Sequence, residues 1–181
     1  MCIEEIISKK LMAFLPVYLA MKGNCTLLYT YKGGLYEIHR TIKSILNELG
    51  NAYLVDLKAM KKYYGKLLGI KNLVPICLDE DNIFVPIKVR RPLFKNDGSF
   101  GYINIKYIDR VDRIKGYTII HLIGDETIEC LSSIETVNKH INAGHIIEKI
   151  HNEKQNSIFC REHNFYEEYN LPATKGDIAL L

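Results

Sequence analysis

Thirteen basic side chains lie between residues 58 and 115, and Tyr63, Tyr64, Phe84, Phe94, Phe100, Tyr102 and Tyr107 are interleaved among them. Ammonium and guanidinium groups neutralise phosphates and release condensed counterions, while aromatic rings and apolar wedges stack on bases or insert between them. The chemistry this spacing could perform is recognition of a nucleic acid. A solvated basic face over an aromatic core carries the same residue types. The candidate contacts are Lys71, Lys88, Arg90, Arg91, Lys95, Lys106, Arg110 and Arg113.

Within this block the run Lys88-Val-Arg-Arg-Pro92 has its own logic. Pro92 biases Arg91 toward extended backbone and ends the preceding strand. On a strand Lys88 and Arg90 share a face and could straddle a phosphate backbone, or an arginine could enter a narrow, electronegative minor groove. Charge that protects an edge strand from pairing is the competing reading. The formal charge of +3 conceals a segregation: residues 32–117 hold 16 Lys or Arg against 9 Asp or Glu, whereas residues 118–181 hold 5 against 10. Positive potential is therefore concentrated in the middle of the chain.

Other chemistry is weakly signalled. His140, His145 and His151, then Cys160 and His163, invite a zinc site, but only the last two are compactly spaced; partly exposed helix and tail histidines account for them. The acid runs Glu4-Glu5, Asp79-Glu80-Asp81 and Glu167-Glu168 are adjacent residues that diverge on a helix or strand, so they suit turns and surfaces. No nucleophile elbow, phosphate loop, zinc-protease or dinucleotide motif occurs, and no cofactor or catalytic role is expected. Five well-separated cysteines without a CxxC pair read as reduced, mostly packed thiols.

The elements that must position the basic block follow from periodicity. Residues 11–22 and 25–32 flank Gly23-Asn24 as a hairpin, and Gly33-Gly34 makes the next turn. From residue 37 to 49, Ile38, Ile42, Ile45, Leu46 and Leu49 form the apolar stripe of a helix that Gly50 stops. Residues 56–68 form a second, lysine-rich helix, against which Gly65 counts. Short extended runs at 73–78, 83–89, 100–108, 117–123 and 126–131 then predict a small, mostly antiparallel sheet. Helices are expected at about 134–141 and 145–152.

The expected architecture is one α+β domain over residues 1–155, with a motif core at 70–141, followed by a loosely attached tail at 156–181. An apolar content of 48% suffices for a sizeable core, so wholesale disorder is not expected. The apolar stretch 11–21 is too short to cross a bilayer, and Glu4 and Glu5 stand where a secretion signal needs basic residues. A cytoplasmic location without membrane association is expected.

The ordered elements Lys71, Pro75-Ile76, Ile83-Phe84-Val85-Pro86, Arg90-Arg91-Pro92 and Gly101-Tyr102-Ile103 resemble the bacterial competence transcription factor (ComK) family, with weaker similarity continuing to residue 141. The family's Gly-rich, Ser-containing stretch before the Pro-Ile pair is replaced here by residues 58–69, and its Trp by Tyr102. The resemblance implies an activator that recognises AT-rich double-stranded promoter DNA from the minor groove, with contacts to RNA polymerase and, in some relatives, to an adaptor and protease. Paired sites would imply a homo-oligomer. Residues 103–141 are more faintly similar to the LytTR-type DNA-binding domain, which implies the same ligand. A protein-interaction module using the apolar N-terminal hairpin and the acidic last third is the alternative without DNA.

Overall fold

A computed structural model describes residues 3–32, 34–94 and 97–168. Two compact units divide the chain, Met1–Glu148 and Lys149–Leu181. The first is α+β and mostly antiparallel, as the alternation of short extended runs and amphipathic stretches predicts.

In chain order the first unit begins with α1 (Ile3–Ser8), β1 (Leu11–Leu19), β2 (Gly23–Thr30), β3 (Gly34–Ile38), α2 (Ile42–Ala52) and α3 (Leu57–Leu68). Then come β4 (Ile76–Cys77), β5 (Ile83–Lys88), β6 (Phe100–Asn104), a 3-10 turn (Ile105–Tyr107), β7 (Ile108–Ile114), β8 (Tyr117–Leu122) and β9 (Thr127–Cys130). A long helix, α4 (Ile134–Glu168), follows and continues into the second unit, whose described residues are its later turns.

The strands divide into two sheets, where a single small sheet was expected. Six strands pair antiparallel in the order β3-β2-β1-β6-β5-β4, and β7-β8-β9 form a separate antiparallel meander. β1 is the bridge of the larger sheet: Phe14 stands opposite Tyr102 of β6, and Pro86 of β5 stands on the other side of the same tyrosine. This pairing joins the N-terminal hairpin to the Pro-Ile and Phe-x-Pro segments in one layer.

On one face of that sheet, Phe14, Leu28 and Phe84 meet Ile6 of α1 and Ile45, Leu46 and Leu49 of α2, with Leu57 and Met60 of α3 packed alongside. Phe14 lies edge-on to Phe84 (5.3 Å) and stacks on Tyr102 (5.2 Å, 15°). Truncating a ring so enclosed costs about 3–5 kcal/mol. On the other face Gly144 of α4 approaches so closely that a Cβ there would stand 2.8 Å from Val85 Cγ1 and 2.9 Å from Ile105 Cγ2.

Three local expectations change. The helix expected over 37–49 and stopped by Gly50 runs from Ile42 to Ala52, with Gly50 buried inside it and Ile38 in β3, because Thr41 caps the helix later than the apolar stripe begins. The two short helices expected after residue 134 are one helix, because Ala143 and Gly144 are buried against the sheet and extend the helix between them. The tail expected from residue 156 continues as helix to Glu168; its remainder lies outside the described residues. β3 and β7 were not anticipated. β7, Ile108-Asp-Arg-Val-Asp-Arg-Ile114, is a half-exposed edge strand whose alternating charges hide its apolar side and block further pairing.

Candidate nucleic-acid interface

The helix 57–68 forms because Asp56 caps it, its carboxylate accepting from the Lys58 (2.8 Å) and Ala59 (3.0 Å) amides, and Gly69 ends it in the left-handed conformation. Those amides hold the Asp56 carboxyl below its ordinary range. Gly65, which counted against the helix, is buried. Its α-carbon faces the Ile70 carbonyl, which a Cβ would approach to 2.7 Å, so the missing side chain lets the chain turn back toward β4.

With Leu57 and Met60 on the core, the lysines of α3 are left to the rim. Lys61 lines three neighbouring hollows. One, of about 700 Å³, is also lined by Lys43 of α2, by Arg90, and by Asn24, Ser99 and Tyr102. A second, of about 340 Å³, is lined with it by Lys62, Lys71, Asn72 and Tyr102. A third, between α2 and α3, adds Lys58 and the helix-capping Asp56. Among the described residues that line the first two hollows there is no carboxylate. Burial lowers the pKa of the Lys61 ammonium, as expected for a cation partly withdrawn from water. Tyr102 forms part of the wall of both hollows, with its ring stacked on Phe14; burial pushes its phenol up.

Arg90 is held at the edge of this cleft. β5 ends at Lys88, so Arg90 does not continue its face. Its Nε donates to the Gly98 carbonyl (2.6 Å) and its Nη2 to Asn24 Oδ1 (2.7 Å), and Asn24 Nδ2 in turn donates to Asp97 Oδ1 (2.6 Å). The other Asp97 oxygen accepts from the Leu93 (3.1 Å) and Phe94 (2.8 Å) amides. The Asn24 amide, the two backbone amides and the nearby Arg90 charge hold the Asp97 carboxyl below its usual range. Together these bonds fasten the base and near arm of the connection between β5 and β6. Arg91, Pro92, Leu93 and Phe94 project from it, all exposed.

The structure separates the candidate residues that the sequence grouped. Lys71 and Arg90 line the basic cleft. Lys88 is exposed on the same face of β5 as Phe84 and Pro86, and Arg91 is exposed in the connecting loop. Arg90, expected as a DNA contact beside Arg91, is half-buried and spends its guanidinium on the loop. Lys106 pairs with Asp81 (2.5 Å), and Arg110 with Asp109 (2.8 Å) and Asp112 (3.1 Å). Arg110 and Arg113 belong to β7, in the smaller sheet, and Glu135 feels the Arg113 charge. Lys95 lies outside the described residues.

Lys43 and Asn24 were not singled out from the sequence. No local signal marks either: Lys43 is one exposed position in the first turn of an amphipathic helix, and Asn24 reads as a turn residue. Among the described residues no three His, Cys, Asp or Glu side chains converge as metal ligands, and His145 lies 3.1 Å from Glu148 on its own helix. Cys160 and His163 lie in α4 at positions whose side chains are outside the description. Cys25, Cys77 and Cys130 are buried free thiols; burial pushes Cys77 up to about 11 and Cys130 up to about 12. Among the described residues no helix is long and apolar enough to cross a membrane.

No family model matches the chain, and neither a curated protein nor a solved structure matches it.

Proposed function

We propose that this protein is a DNA-binding transcription regulator of the competence-factor type, and that its phosphate-binding surface is the cleft framed by α2, α3 and the base of the β5–β6 loop. The observation that carries the reading is the lining of that cleft: Lys43, Lys61, Lys62 and Lys71 around two hollows whose described linings hold no carboxylate, with Arg90 fastened to the loop at the edge. Cations whose charge is not spent on acids release counterions when a phosphate arrives, whereas paired ones first lose a partner. The resemblance carried by residues 71–103 supplies the preference for AT-rich duplex and the regulatory role. A cytoplasmic location and homo-oligomeric binding to paired sites belong to the same proposal.

Fluorescence anisotropy of the full chain on AT-rich and GC-rich duplexes, at several salt concentrations, tests it. The expected result is tighter binding to the AT-rich duplex with a steep negative salt slope. In Lys43→Ala/Lys71→Ala, whose two exposed side chains leave the fold intact, the slope should become shallower by about 2, one phosphate for each charge removed. No binding to either duplex at low salt sinks the proposal and leaves a protein-interaction module as the better reading.

A further inference from the structure

We infer that Leu93 and Phe94 form an apolar wedge that enters the base stack of bound DNA, with Arg91 guiding it into the minor groove. The inference rests on the DNA-binding reading above and assigns it a second contact, distinct from the phosphate cleft.

Leu93 is 63% exposed and Phe94 66%, on a loop whose base lines the basic cleft through Arg90, Gly98 and Ser99. Two large apolar side chains exposed side by side on one loop gain free energy when a partner covers them, in proportion to the apolar area removed from water. The residues that carry the pair are fastened. Asp97 holds the Leu93 and Phe94 amides, its own amide donates to the Phe94 carbonyl (3.0 Å), and Asn24 and Arg90 fasten Asp97 to the sheet. Two apolar groups are thereby presented on a fastened backbone, which lowers the ordering cost of inserting them.

Charge complementarity selects the partner. The exposed Arg91 precedes the wedge by two residues, Pro92 restrains the backbone between them, and the basic cleft lies at the base of the same loop. A cationic guide beside an apolar wedge suits the minor groove, where arginine is drawn to the negative potential and Leu or Phe side chains unstack base steps. The flexible TA step of an AT-rich site is the least costly place to open.

The test uses the full chain and an AT-rich duplex carrying 2-aminopurine at a central TA step, whose fluorescence rises when the base unstacks. Wild type should raise the fluorescence on binding. Leu93→Ala/Phe94→Ala should keep the wild-type salt slope and melting temperature, bind at least about thirtyfold more weakly, and lose the rise, since two stacking contacts are removed together. Salt-dependent binding by wild type without a fluorescence rise, or an unchanged rise in the variant, overturns the wedge and leaves the cleft standing. Absence of any DNA binding by wild type overturns both. Binding to phosphatidylserine–phosphatidylcholine vesicles that the double variant loses, with DNA fluorescence unaltered, assigns the pair to a lipid surface and overturns the wedge.

Discussion

Asp97 shows how one side chain can set the geometry of a binding loop. Its two oxygens accept from Asn24 and from the Leu93 and Phe94 amides, all of which favour the carboxylate over the acid. Its folded pKa is therefore depressed. A carboxyl depressed in the fold contributes stability that is fully present above the unfolded value of about 3.9 and is lost as pH falls through the folded value. The Phe94 amide proton should accordingly report an acid transition below the ordinary aspartate range in an NMR titration, with the loop loosening on the acid side. A transition at or above the ordinary range, or no transition at all, shows that Asp97 does not hold the loop. Arg90 contributes from the other side of the network, which makes Arg91 the arginine freer to meet a ligand. The adjacent pair thus has divided duties that its sequence, Arg-Arg, conceals.

Among the elements, α3 is the one whose local preference and tertiary role conflict. Glycine in a helix interior costs about 1 kcal/mol relative to alanine, so Gly65→Ala improves the isolated helix. In the folded protein the new methyl meets the Ile70 carbonyl at 2.7 Å and Val74 Cγ2 at 3.2 Å. The first is backbone, and the Ile70 amide bonds back to the Gly65 carbonyl (2.8 Å), so the turn has little room to yield. The expected outcome is a net loss of about 1–3 kcal/mol, read as a lower melting temperature. A stabilised variant rules out this packing. The same turn carries Lys71 and Leu73 to the cleft beside Lys61 and Lys62, so the variant also probes how the basic rim is held. β7 illustrates the opposite case. Its charges are spent along its own edge, on Asp109 and Asp112, which keeps Arg110 from acting as an unpaired cation.

At the scale of the whole molecule the basic central third is spread over two surfaces of different character. The cleft cations line hollows without acids among the described residues, whereas Lys106 and Arg110 are bonded to carboxylates at exposed positions. Exposed pairs of this kind are worth at most about 1 kcal/mol, so their removal barely alters stability. Lys106→Ala/Arg110→Ala should therefore leave both melting temperature and the salt slope of DNA binding near wild type, while the cleft variant changes the slope. If the two double variants flatten the slope equally, the charge is acting as a diffuse field and the cleft has no special place in binding.

Local order was legible in the residues themselves. The stripe Ile42, Ile45, Leu46, Leu49 specified most of α2, although Ile38 went to β3 and Gly50 lies inside the helix. The helix α3 ends at Leu68 as expected, and Gly124-Asp125 marked a turn, whereas Gly23-Asn24 begin β2 just after the turn they signalled. Caps, turns and apolar periodicity act within a few residues of one another. The basic, aromatic-rich character of the middle was equally plain. What needed the tertiary structure was which charges stand together. Lys43 lies far from Arg90 along the chain, and they share a cleft only because β1 pairs with β6 and α2 covers that face. Asn24 reaches Asp97 across 73 residues for the same reason. The pairing of Lys106 with Asp81 is likewise set by the packing, whereas Arg110 pairs with Asp109 and Asp112 of its own strand, so composition counted as equal thirteen cations that the fold makes unequal. Charge is a property of the residue; whether it is available to a phosphate depends on its neighbours in space.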